Sequence, residues 1–154
     1  MTAWLDALQA WPGARWLQES GTAWMMVNAS HLLGIALLLG SILPLDLRLL
    51  DGRERLPLSA HTRAIIRTAA LGLVLAIATG LWMFSAQPRE YLGNAAFAWK
   101  LALVAVALAN VTAQHRLLRH TRTGLPPIGV RALAALSSLL WLATLLAGRW
   151  IGFL

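Results

Sequence analysis

Two residues in this chain are of types that do chemistry and stand where a water-facing role does not explain them. His31 lies in N-A-S-H-L-L-G-I-A-L-L-L-G, and Lys100 in A-F-A-W-K-L-A-L-V-A-V-A-L-A-N. Both stretches are apolar enough to enter a bilayer; Phe97 to Thr112 is interrupted only by Lys100, Asn110 and Thr112. Ionisable groups within hydrocarbon are costly and usually face a partner, a cavity or a cofactor. A neutral imidazole offers a nitrogen to a metal, and a deprotonated amine offers a second. The pair therefore reads as candidate ligands for a haem or a metal. Asn28, one turn from His31, and Trp99, beside Lys100, join the candidate cofactor site. Arg149 and Arg89 are candidates for holding carboxylates of a cofactor, since a guanidinium matches carboxylate geometry. Met25, Met26 and Met83 supply thioethers, which with His31 would suit Cu(I), a soft ion.

The elements that must position these groups follow from composition. The chain has 154 residues, 58% hydrophobic and 12% charged, too apolar for an ordinary soluble domain. Four long apolar runs account for it, each sufficient to cross a bilayer. The sequence predicts an all-α, integral-membrane antiparallel four-helix bundle forming one domain over 1–154, with spans at about 22–43, 64–86, 96–118 and 130–150. Pro44 ends the first span in this reading. Residues 2–20 place Trp4, Leu5, Leu8 and Trp11 at helical spacing, broken by Pro12-Gly13. They read as a short amphipathic helix lying in the membrane interface, not as a cleavable signal peptide.

The net charge of +7 would suggest nucleic acid in a soluble protein. Here the basic residues sit between apolar runs, so anionic lipid headgroups are the expected partners and nucleic acid is not. The absence of cysteine excludes disulfides, thiolate metal sites and covalently attached haem. Arg48, Arg53, Arg55, Arg63 and Arg67 flank the first connection, and Arg116, Arg119, Arg122 and Arg131 the third. The opposite side carries Arg15, Arg89 and Arg149. The positive-inside rule then makes the first and third connections cytoplasmic and both termini periplasmic.

Orientation converts position into depth. His31 lies seven residues past Trp24, so about 10 Å below the outer interface, and Lys100 lies about 6 Å below the start of its span. Structural alternatives exist for each: Lys100 can snorkel to the outer surface, and His31 can bond a backbone carbonyl or Asn28 between helices. Small residues Ala29, Gly34, Gly80 and Ala102 could open a slot for a planar ring. Asn110 reads as a helix–helix hydrogen bond, while His61, His115 and His120 stand beside arginines at the cytoplasmic end.

The Lys100 helix resembles the third helix of small four-span bacterial membrane proteins, among them the HemJ-type protoporphyrinogen oxidases and the membrane domain of copper-resistance protein D. The His31 helix resembles their first. D-L-R-L-L after it is similar to a family of uncharacterised bacterial four-span proteins. The HemJ resemblance implies haem b binding, by a first-helix His and a third-helix Lys that match His31 and Lys100. A further His about three turns after the Lys has no counterpart, Asn110 and Val111 occupying that region. Haem binding is thus implied more directly than the oxidase reaction.

The leading expectation is an inner-membrane b-type haem protein handling electrons near its periplasmic face, with a periplasmic redox partner. A copper handler using His31, Met25, Met26 and Met83, and a cofactor-free membrane anchor for a periplasmic partner, stand beside it. Homo-oligomerisation is left open, and so is whether the chain is an enzyme.

Overall fold

A computed structural model describes residues 3–52, 60–120 and 127–151, with the side chains of Arg119 and His120 excepted. Arg53, Arg55 and Arg122, and with them most of the first and third connections, lie outside the described residues. Every element is helical: α1 Ala3–Ala10, α2 Pro12–Glu19, α3 Gly21–Asp51, α4 Ala60–Ala86, α5 Pro88–Gly93, α6 Ala95–His120 and α7 Ile128–Trp150. Helices α3, α4, α6 and α7 are each long and apolar enough to cross a membrane. Large apolar side chains on their outer faces, such as Leu33, Leu71, Leu101 and Leu146, are exposed. A bundle apolar on the outside as well as the inside has lipid as its solvent, and the chain is a multi-pass membrane protein.

The antiparallel four-helix bundle expected from the sequence is present. α3 packs most extensively on α4, α6 on α7, and α3 on α7. One core cluster draws on all four long helices: Leu38, Ala69, Ala107 and Trp141. Between α4 and α6 the seam is bridged by aromatic contact, Phe84 stacking on Phe97 with Tyr91 against both.

Small residues bring α3 and α4 together backbone to backbone. A Cβ at Gly34 would lie 2.7 Å from the Ala76 nitrogen and 2.8 Å from the Gly72 oxygen, and one at Gly72 would lie 2.6 Å from the Leu38 nitrogen. Close approach of this kind replaces the hydrophobic drive that helices lack in lipid. It corrects the sequence expectation that Gly34 opens a slot: without a side chain there, the helices close.

The first span is longer than expected. Pro44 does not end it, and α3 continues to Asp51, where Gly52 terminates it in the left-handed region with φ 65°. Proline lacks an N–H, but the rest of the helix is held by α4 and α7, so the lost bond is tolerated. The consequence is that Asp46 is carried on a packed helix instead of a loop.

The N-terminal segment is helical and breaks at Trp11, one residue before the expected point, giving α1 and then α2 with Pro12 at its first position. Together with α5 they cap one end of the bundle. Trp82 Nε1 donates to the Gly13 carbonyl at 3.0 Å, Trp11 Nε1 to Ser85 Oγ at 3.0 Å, and Gln18 Nε2 to the Ala86 carbonyl at 2.8 Å. Leu17 packs with Ala23, Val27, Met83 and Ala86 beneath the cap, while Trp4, Trp11 and Trp16 remain exposed. Exposed tryptophans fit a membrane interface, where an amphipathic ring has both solvents it needs.

Candidate functional site

His31 is buried at 9% exposure on the α3 face that meets α4. Its Nδ1 lies 2.9 Å from the Ala76 carbonyl oxygen and 3.1 Å from Thr79 Oγ1. A carbonyl only accepts, so Nδ1 must carry the proton. The Thr79 hydroxyl agrees, because it donates its own proton to the Leu75 carbonyl at 2.6 Å and is left as an acceptor. These bonds assign the tautomer: the lone pair of a neutral His31 is on Nε2. The two ring nitrogens point in divergent directions, so Nε2 is turned away from the α4 backbone. Gly80 makes room for the ring, since a Cβ there would lie 3.1 Å from His31 Cε1. A histidine held through Nδ1–H by a backbone carbonyl, with Nε2 presented, is the arrangement that orients a metal ligand. The interhelical carbonyl bond considered from sequence is therefore present, and it leaves the other nitrogen available.

Lys100 is half-buried on α6 and lies along α7. Its Cε and Nζ would each be 3.3 Å from a Cβ at Gly148, so that glycine is the groove in which the side chain runs. No hydrogen bond or ion pair joins the amine to any described residue. Arg149 follows Gly148 directly on α7, and is exposed.

The remaining sequence candidates divide. Asn28 is exposed, off the face that carries His31, and Trp99 is 69% exposed on α6. Asn28 is one turn from His31 and on the neighbouring strip of α3, whereas Trp99, one residue from Lys100, is turned about 100° away from it. The copper set does not assemble either. Met25 and Met26 are 59% and 58% exposed, whereas Met83 is buried with Val27 and Leu17 beneath the cap. Five and six residues before His31 fall on the far side of a 3.6-residue turn, which separates those thioethers from the imidazole. Among the described residues no three His, Cys, Asp or Glu side chains are grouped to hold a metal ion. Asn110 forms the expected interhelical bond, Nδ2 to the Leu133 carbonyl at 3.0 Å. His115 Nδ1 turns back to its own helix, on the Val111 carbonyl, and His61 is exposed.

Two cavities lie at the capped end, and neither is lined by His31 or Lys100. One, of about 790 Å³, runs between α5 and the end of α7, past Arg89, Tyr91, Asn94 and Ile151. The other, about 750 Å³, lies between α1 and α4 under Trp4, Trp11 and Trp82.

Sequence reasoning missed Asp46. This carboxyl is 2% exposed, with Gln114 Nε2 3.3 Å from Oδ1 and Ser138 Oγ 3.4 Å from Oδ2. The signal was available: an acid two residues past Pro44, followed by further leucines, in a helix that did not have to stop.

No curated protein and no solved structure matches the chain. A family profile matches residues 18–154, which take in the end of α2, all four long helices, His31, Lys100 and Asp46. The chain belongs to DUF6644, a family of unknown function.

Proposed function

We propose that this protein is a b-type haem protein of the bacterial inner membrane, passing electrons near its periplasmic face. The observation that carries the reading is the His31 bond pattern: Nδ1–H is fixed on the Ala76 carbonyl, so Nε2 is the nitrogen offered. The donor chemistry suits haem iron, which takes neutral imidazole as an axial ligand. The resemblance of α3 and α6 to the HemJ-type helices points the same way. Bound haem supplies one-electron chemistry, and the protein supplies orientation, exclusion of water and charge.

In this reading His31 would hold iron through Nε2. Lys100, whose amine has no partner among the described residues, would either supply a second nitrogen to the iron or pair as a cation with a propionate. Arg149, exposed at the capped end beyond Gly148, would be the residue to meet a propionate. A planar ring cannot enter between α3 and α4, which touch at Gly34 and Gly72. The α4–α6 seam, less closely packed than the others and bridged by aromatic side chains, would be the side to admit it. The positive-inside distribution of arginines supports the orientation with the capped end periplasmic, where a soluble redox partner would dock.

The test is the visible spectrum of protein expressed with excess haem and purified in detergent. A Soret band is expected, abolished or strongly shifted in His31→Ala while circular dichroism stays helical. Lys100→Ala changes the spectrum if the amine is a ligand and weakens haem retention if it pairs a propionate. A colourless, folded wild-type protein defeats the proposal. Copper would then be assayed first, although exposed Met25 and Met26 give it little support.

A further inference from the structure

Asp46 has an environment that the haem reading does not use. Three helices enclose it: its own α3, α6 through Gln114, and α7 through Ser138. Ser137 lies at the same level, its hydroxyl reaching towards the carboxyl, yet the residue is 1% exposed and its Oγ has no partner at hydrogen-bond geometry. Leu47, Leu136 and Leu139, adjacent in sequence to Asp46 and the serine pair, are exposed on the outer surface. The carboxyl is therefore level with apolar exterior, inside the part of the bundle that lipid surrounds. It lies about 22 Å beyond His31 along α3, which puts it at the inner edge of a hydrocarbon core about 30 Å thick.

A lone carboxylate in such a place must be neutralised, since an unpaired buried charge is costly. Charged groups on the surrounding elements do not do it. Arg48 and Asp51 on α3, His61, Arg63 and Arg67 on α4, His115 and Arg116 on α6 and Arg131 on α7 are all exposed. Among the described residues none pairs with Asp46. Its two polar contacts are long, at 3.3 and 3.4 Å, and come from neutral donors. Two more buried polar atoms without partners continue the same faces by one turn: Asn110 Oδ1, four residues before Gln114, and Trp141 Nε1, four after Ser137. Buried polar atoms in native structures rarely go without partners, and of these Ser137 Oγ, the one that reaches towards the carboxyl, is an acceptor that a bound cation would satisfy.

We infer that Asp46, with Ser137, Ser138 and Gln114, forms an intramembrane binding site for one exchangeable positive charge, a proton or a sodium ion. Both ligands have the same chemistry here: a hard cation meeting one carboxylate and neutral oxygens, neutralising the charge in place. An intramembrane carboxyl of this kind serves ion coupling or relay, independently of any cofactor bound at the other end.

The experiment is infrared difference spectroscopy of the full-length protein in nanodiscs, titrated with pH in sodium-free choline buffer and then with NaCl at fixed pH. A protonated-carboxyl band that disappears reversibly on raising pH, unaffected by sodium, identifies a proton site. A band removed by NaCl but not by choline chloride identifies a sodium site. Either must be lost in Asp46→Asn. Asp46→Glu, which keeps the carboxyl, moves the band in frequency and assigns it even if the amide variant folds poorly. Ser138→Ala, which removes the hydroxyl donating to Oδ2, should displace the transition midpoint by about one pH unit, the tenfold effect of one hydrogen bond to a charged group. A spectrum with no band sensitive to Asp46, or with one that neither pH nor sodium changes, overturns the inference.

Discussion

Gly34→Ala tests the contact on which the His31 geometry depends. The added Cβ would sit 2.7 Å from the Ala76 nitrogen and 2.8 Å from the Gly72 oxygen, both backbone atoms that no rotamer can move. Recovering an ordinary contact of 3.4 Å requires α3 and α4 to part by about 0.7 Å. His31 bonds the carbonyl of that same Ala76, so a parting of this size stretches the 2.9 Å bond to about 3.6 Å, outside hydrogen-bond range. Overpacking costs about 1–3 kcal/mol and the lost bond about 1 kcal/mol, against a gain of about 1 kcal/mol from alanine's helix propensity. The net expectation is a loss of about 1–3 kcal/mol. Gly40, on the same helix, has nothing within 4 Å of its Cβ position and provides the control. Gly40→Ala should be neutral or stabilising by up to about 1 kcal/mol. Reversible unfolding of both variants in mixed micelles, followed by circular dichroism, measures the difference. Equal stability of the two would refute the claim that α3 and α4 meet backbone to backbone.

Three further outcomes follow from named contacts. Tyr91, the single tyrosine, is held above the ordinary phenol value near 10 by burial and secondarily by Glu90. The fold therefore favours the neutral phenol, a contribution present below pH 10 and lost as pH rises through the folded value. Tyrosinate absorbance should appear later in folded than in denatured protein, and coincident titrations would contradict the packing of α5. Trp82→Phe removes the bond to the Gly13 carbonyl, costing about 1 kcal/mol, and should speed tryptic cleavage at Arg15 while leaving the four long helices intact; an unchanged rate would show that the cap is not held there. Thr79→Val removes one of the two acceptors of the His31 proton but leaves Ala76, so the Nδ1–H tautomer should survive, with a loss below about 1 kcal/mol; conversion to Nε2–H would mean the hydroxyl, and not the carbonyl, sets it.

Much of this architecture was legible because lipid imposes simple rules. The four apolar runs reappear as α3, α4, α6 and α7, while the connection read as a loop over 87–95 carries the short helix α5. His31 was legible as a buried residue, but its partners were not, since Ala76 contributes a backbone atom and no sequence position advertises a carbonyl. Glycines misled for a related reason: Gly34 and Gly80 look like room for a ligand, yet one is filled by an opposing helix and the other by the His31 ring. Pro44 misled most, because a rule drawn from helices in water ended α3 early and left Asp46 in a loop. In a bundle whose neighbours hold the chain, a missing N–H does not stop a helix. Met25 and Met26 fell to helical phase, which proximity in sequence conceals.

The central claim is that His31 presents an unprotonated Nε2 because Nδ1–H is committed to Ala76. Nitrogen-15 magnetic resonance of the imidazoles in bilayer-embedded, haem-free protein measures this directly, with His31→Ala assigning one signal among four histidines. The account predicts a neutral His31 protonated at Nδ1, whose Nε2 resonance is shifted or broadened away on addition of haemin. A His31 protonated at Nε2, or one whose signals are untouched by haemin, would contradict it.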